Sequence, residues 1–273
     1  MDINFKRNRT QEFLELEIDP LYNYSETDNT KKKVFQNKAE GYIITAIQEL
    51  KIRKLLKQDA YDYLYSAFVS FFNSIQNICE NNYSWATVEL YYTVYYLLRA
   101  KLHLEGYAIF RATSMYFANI KTGEELKRIN SKKHLNTHDG TIKLFEKCFG
   151  TSDIIYSNTV DCVNSVEWIK GKRELVNYLS VEFKEPGYFP YFEKFNSIDV
   201  LKKNIIKIIN DNSNTLAFQS EFAILGIPLL LFNEIIKNYN LNIKNIFDEN
   251  KRDYLLSIVS LYELDFMQNY LDL

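Results

Sequence analysis

The sequence predicts an all-α fold: a helical bundle with a helical C-terminal extension and a short mixed N-terminal arm. Three observations carry this. Only 8 glycines and 4 prolines occur in 273 residues, so long elements with few tight turns are expected. Apolar residues recur at helical spacing through most of the chain from about residue 42. Hydrophobic residues make up 47% and aromatics 15%, enough apolar mass to fill a core at this length.

The arm, residues 1–41, is polar and mixed; FLELEID (13–19) alternates apolar and acidic residues as a strand does, and Pro20 ends it. NYSETDNTKKK (23–33) reads as a loop. The bundle, residues 42–190, opens with YIITAIQELKIRKLLKQ, whose apolar face is Ile43, Ile44, Ile47, Leu50, Ile52 and Leu55. Asp59 is placed to cap a second helix with a stripe of Tyr61, Leu64, Phe68, Phe71, Phe72 and Ile75, which Asn81 and Asn82 break. Ser84 is placed to cap a third, with Trp85, Val88, Tyr92, Tyr95 and Leu98 on one face and Gly106 as its stop. A short polar break between two long helices predicts an antiparallel hairpin.

NIKTGEELKRINSKKHLNTHDG (119–140) is a polar, basic connection with room for a short helix at 123–130. THDGTIKLFEKCFG (137–150) follows as a helix capped by Thr137 or Asp139 and stopped by Gly150. Residues 157–183 read as another helix, bent around Gly171, and KEPGYFPYFEKF, with two prolines, marks a boundary. The extension, residues 191–273, holds three further helical stretches.

A formal net charge of −2 does not advertise a polyanion partner, so any nucleic-acid site must be a local basic patch. Cys79, Cys148 and Cys162 are an odd, scattered set that builds neither a disulfide framework nor a zinc site and suits a reducing compartment. MDINFKRNRTQEF lacks the pattern of a signal segment, and the apolar run FAILGIPLLLF (222–232) is shorter than the roughly 20 residues of a membrane span. That run reads as a buried helix interrupted by Gly226 and Pro228. A soluble, cytoplasmic protein without membrane contact, metal or cofactor is expected.

Three segments resemble the HEPN superfamily, helical domains known from prokaryotic toxins, defence systems and CRISPR ribonucleases. WATVELYYTVYYLLRAKLHLEG is similar to the family's tyrosine-rich second helix, THDGTIKLFEKCF to its histidine-led third, and KRELVNY to the arginine-led start of its fourth. Together they cover under half of the chain. The resemblance implies an up-down four-helix bundle, usually a homodimer with its active site at the shared interface. In catalytic members an arginine with a polar neighbour precedes a histidine by roughly four to six residues, and RNA is cleaved without metal by attack of the 2′-hydroxyl.

On this chain Arg173 matches the arginine and Glu174 its polar neighbour, while the histidine slot spans Tyr178, Leu179 and Ser180, with Asn177 just before it. A tyrosine, with an ordinary pKa of about 10, is a poor base at neutral pH. Arg128 and His134 also satisfy the spacing but fall in the linker before the third helix; His138 matches the third-helix histidine or serves beside a cap; His103 pairs with Arg99 one turn away. Lys127, Arg128, Lys132, Lys133 and His134, with His138 beyond them, are the candidate RNA-binding residues, or a solvated basic linker. Tyr91, Tyr92, Tyr95 and Tyr96 fit core and dimer interface better than base stacking. Asp62, Glu89 and Glu105 show no paired-carboxylate or metal spacing. Two functions stay open: a defence or toxin-type ribonuclease using Arg173, Glu174, Asn177 and Tyr178, or a catalytically silent module that binds a partner protein.

Overall fold

The computed structural model describes residues 8–21, 29–111, 114–129, 135–179, 181–183, 185 and 187–271. It is predominantly helical, as expected, with two small antiparallel sheets that the all-α reading did not include. The chain gathers into two compact units, Met1–Asp62 with Leu98–Cys148 and Tyr63–Leu97 with Phe149–Leu273.

In the first unit, α1 (Arg9–Ile18) stands where a strand is expected. The alternation of FLELEID is overridden because Thr10, Leu14 and Ile18 recur every four residues and are buried on one helix face, with Glu15 beside Leu14. Asn8 caps α1, accepting from the Gln11 N–H at 2.8 Å. After α2 (Asn29–Ala39), α3 (Ala46–Cys79) runs as one helix of 34 residues. Asp59 therefore starts nothing; its carboxylate instead accepts the backbone N–H groups of Arg9 and Thr10 at 3.0 and 2.9 Å, closing the N-terminus of α1. The buried line of early α3 is Ile52 and Leu56, with Ile44 just before it, while Ile43, Ile47 and Leu50 are 54%, 82% and 77% exposed. Of the expected stripe, Ile44 and Ile52 thus face the core, while Ile43, Ile47 and Leu50 do not.

Beyond α4 (Tyr83–Leu104), which Gly106 ends at φ +87°, come β1 (Tyr107–Arg111), β2 (Met115–Asn119) and β3 (Lys127–Arg128). They form an antiparallel sheet with Tyr107 opposite Asn119 and Tyr116 opposite Arg128. The helix allowed for at 123–130 is absent; β3 occupies it. One sheet face, Ala108, Phe110, Tyr116 and Ala118, packs with Leu14, Phe35, Ile52 and Leu56. The other meets α5 (Thr137–Phe149), where Gly140 lies against Met115 and Lys147 over the Phe117 ring at 4.5 Å. The cap of α5 is Asn136, which accepts from the Asp139 N–H at 2.8 Å, not Thr137 or Asp139.

In the second unit the later part of α3 and the earlier part of α4 form the expected antiparallel hairpin, turned at Asn81 with φ +62°. Tyr63 stacks on Tyr96, and Asn77 bonds Glu89. Of the expected face of α4, Val88, Tyr95 and Leu98 are buried, together with Leu90, Tyr91, Val94 and Leu97, whereas Trp85 is 54% exposed and Tyr92 half-buried. The helix expected over 157–183 is interrupted. Short α6 (Ile154–Ser157) leads to a hairpin of β4 (Thr159–Val160) and β5 (Val163–Asn164), turned by Asp161 and Cys162 at φ +51° and +65°. Then follow α7 (Ser165–Glu174) and a π-helical turn, Leu175–Leu179; the widening falls there, after Gly171.

Pro190 opens a 3-10 turn whose Tyr191, Phe192 and Phe195 are buried. The remaining helices are α8 (Ile198–Ile209), α9 (Ala223–Asn238), α10 (Ile243–Ile246), α11 (Glu249–Leu261) and α12 (Phe266–Leu271). Pro228 lies inside α9, past its first turn, and the helix continues through it to Asn238. No helix among the described residues is long and apolar enough to cross a membrane.

Candidate functional site

Arg173 sits in the last turn of α7, a helix that Asn164 caps by accepting from the N–H groups of Val166 and Glu167. Cations at that end, Lys172 and Arg173, suit the helix dipole. Residues five apart on a regular α-helix point about 140° away from each other. The π turn closes i to i+5 instead and brings Tyr178 back to Arg173, whose Nη2 donates to the Tyr178 hydroxyl at 3.2 Å. The guanidinium lies 5.1 Å from the Tyr91 ring centre and 5.3 Å from that of Tyr178. Tyr91 is 1% exposed and Tyr178 69%, so the arginine joins a buried ring to one presented to solvent. Its Nε is buried without a hydrogen-bond partner among the described residues.

Lys172 takes the other side of the helix end, over Trp168 at 4.6 Å and Tyr191 at 5.3 Å. Burial lowers its pKa, and Asp161, which accepts from the Trp168 indole at 3.2 Å, pulls the other way. Among the described residues no hydrogen bond or ion pair joins Glu174 or Asn177 to Arg173. Glu174 is half-buried and Asn177 exposed. The structure thus brings together two of the four expected catalytic residues, Arg173 and Tyr178. Further along the chain Leu179, Val181 and Phe183 are 73%, 105% and 52% exposed, and Phe183 lies edge to face with Trp85 of α4, itself 54% exposed, at 6.0 Å.

The basic candidates belong to the first unit. Lys127 faces Glu124 at 3.9 Å, and Arg128 pairs with Glu40 at 2.9 Å while lying over Tyr116 at 6.0 Å. Both charges are already answered by carboxylates. Lys132, Lys133 and His134 lie outside the described residues. His138 is half-buried in the first turn of α5. His103 is 2% exposed; burial, then the charge of Arg99, hold its pKa well below the usual value, so it stays neutral in the core. Burial pushes the Cys79 thiol up to about 11 and Cys148 upward as well, which leaves both unreactive at neutral pH. Among the described residues no group of side chains is arranged to hold a metal ion.

Spacing rules for catalytic pairs pass over Glu89. Its carboxyl is half-buried on α4, accepts from Asn77 Nδ2 at 3.4 Å, and is pushed up to about 7 by burial against that weak bond. The available signal was its position: Glu89, Tyr92 and Tyr96 stand at i, i+3 and i+7 on one helix face. Tyr91, two residues on, points about 200° away, so Glu89 and Arg173 serve opposite sides of α4.

No protein-family model, curated protein or solved structure matches the chain.

Proposed function

We propose that the chain is a HEPN-like helical module of a prokaryotic defence or toxin-type system that docks a partner protein through the Arg173–Tyr178 face without cleaving RNA itself. One observation carries this reading. Arg173 is clasped between the rings of Tyr91 and Tyr178 and hydrogen-bonded by the tyrosine that stands in the histidine slot. Its charge is spent on aromatic faces, and neither an imidazole nor a carboxylate bonds it among the described residues to move a proton. The exposed Leu179, Val181 and Phe183 that follow Tyr178 in the chain, with Trp85 against Phe183, supply the apolar and aromatic character of a protein interface.

A metal-independent ribonuclease with a composite site across a homodimer is the second reading, favoured by the retention of Arg173 and Glu174 in the order of the family motif. Purified protein incubated with tRNA and total RNA in EDTA separates the two. No cleavage is expected, from the wild type or from Arg173→Ala. Cleavage by the wild type that Arg173→Ala abolishes, with the far-UV circular dichroism unchanged, would overturn the docking reading and establish the nuclease.

A further inference from the structure

On the side of α4 away from Arg173, a second surface has its own chemistry. Glu89, Tyr92 and Tyr96 follow one another along α4, and Tyr63, Asn73 and Asn77 are half-buried residues on α3. Tyr96 is fixed by its neighbours, stacked on Tyr63 at 6.3 Å with 26° between the planes and packed on Tyr92 at 5.9 Å. At the other end Asn77 Nδ2 reaches Glu89 Oε2 at 3.4 Å, a long bond that leaves most of the carboxylate's accepting capacity unused. No lysine, arginine or histidine among the described residues forms an ion pair with Glu89.

A half-buried carboxylate without a cation, one turn from fixed tyrosine rings, has a specific complement. A planar guanidinium can bond a carboxylate in bidentate fashion while stacking on an aromatic face, which an ammonium does less well. We propose that this face of the α3–α4 hairpin is a binding site for an arginine side chain presented by a partner protein, with Glu89 taking the guanidinium edge and Tyr92, one turn on and backed by Tyr96, its plane. The proposal is independent of the Arg173 reading, since the two surfaces lie on opposite sides of α4.

Occupancy by such a cation depends on the charge of Glu89. No charged group of any element contributes to its titration; burial raises the carboxyl to about 7 and Asn77 opposes it. The bare site is therefore largely protonated at pH 6 and largely ionised at pH 8.

The test is fluorescence anisotropy of the full chain with a labelled helical peptide of alanine and arginine, at pH 6 and pH 8. A carboxyl titrating near 7 is ionised about tenfold more at pH 8 than at pH 6, so binding about tenfold tighter at pH 8 is expected. Glu89→Gln, which resembles the protonated form and keeps the fold, is expected to bind weakly with no pH dependence. Tyr92→Leu is expected to weaken binding while the pH dependence persists. Equal affinity of wild type and Glu89→Gln, or a flat wild-type pH response, would overturn the proposal. Displacement of the peptide by spermidine at equal concentration would also overturn it, by placing a free polyamine there.

Discussion

Asp59 and Glu89 are carboxylates of opposite circumstance. Asp59, 3% exposed, accepts two backbone N–H groups of α1 and the Arg9 guanidinium. Removing it strands the N–H groups of Arg9 and Thr10 at the start of α1, which Asn8 does not reach, and leaves the Arg9 guanidinium with Asp62 alone. Asp59→Ala is expected to cost about 2 kcal/mol, read as a lowered urea midpoint with unchanged slope. Glu89 is a half-buried carboxyl with one weak donor. Its folded-state pKa is raised from 4.5 to about 7, so the stability tied to its protonated form is complete below about 4.5 and lost as pH rises through 7. Because the group is close to half exposed, solvent screening reduces the effect to about 1 kcal/mol. Glu89→Gln is expected to be more stable than wild type by about 1 kcal/mol at pH 8 and indistinguishable from it at pH 4, by urea denaturation at both. Of the candidate site, the sequence displays Arg173 and the tyrosine five residues on. It does not display that Tyr91 closes the clasp from 82 residues earlier in the chain, nor that Asp59 serves a helix 50 residues away. Both are long-range contacts without a local signature.

At the scale of elements, helices with one buried stripe and a clear stop are legible: α5 ends at Gly150 with φ +48°, and α8 has Leu201, Ile205 and Ile208 on its buried face. Elements buried on both sides are not. The strands β1 and β2 read as apolar runs without alternation, because α1 and α3 cover one face and α5 the other. The π turn is invisible too, since periodicity rules assume a constant twist. Two helical glycines show what the sequence alone cannot distinguish. A Cβ on Gly171 meets nothing within 4 Å, whereas one on Gly226 would stand 2.6 Å from the Ala217 Cα, a backbone atom that cannot swing aside. Gly171→Ala is expected to stabilise the protein by about 0.5–1 kcal/mol through the lost freedom of the unfolded chain. Gly226→Ala is expected to destabilise it by about 1–3 kcal/mol through forced displacement of the turn that carries Ala217. Chemical denaturation of the two variants side by side checks both signs.

At the scale of the whole molecule, composition shows that a core of this size exists, but not that the chain folds into units drawn from separated segments. Packing partners set such units, and those of the hairpin lie far along the sequence. Phe68 meets Phe232 at 4.6 Å and Phe247 at 5.6 Å, and Phe71 meets Phe232 at 5.7 Å. All four rings are 4% exposed or less, so α9 and the residues after it complete the core of the second unit. Fully burying one such aromatic contributes about 1.5–3 kcal/mol, and truncation would remove Phe232 and Phe247 and uncover Phe68 and Phe71 together. A total loss on that scale consumes most of the 5–15 kcal/mol by which a typical domain is stable. A chain ending at residue 197 is therefore expected to lose fixed packing in the second unit. It should bind 1-anilinonaphthalene-8-sulfonate strongly and lose near-UV circular dichroism while retaining helical far-UV signal. A truncated protein with wild-type near-UV dichroism and no dye binding would show that the aromatic face of α3 is stable without α9, and that the C-terminal helices serve the partner surface instead of the core.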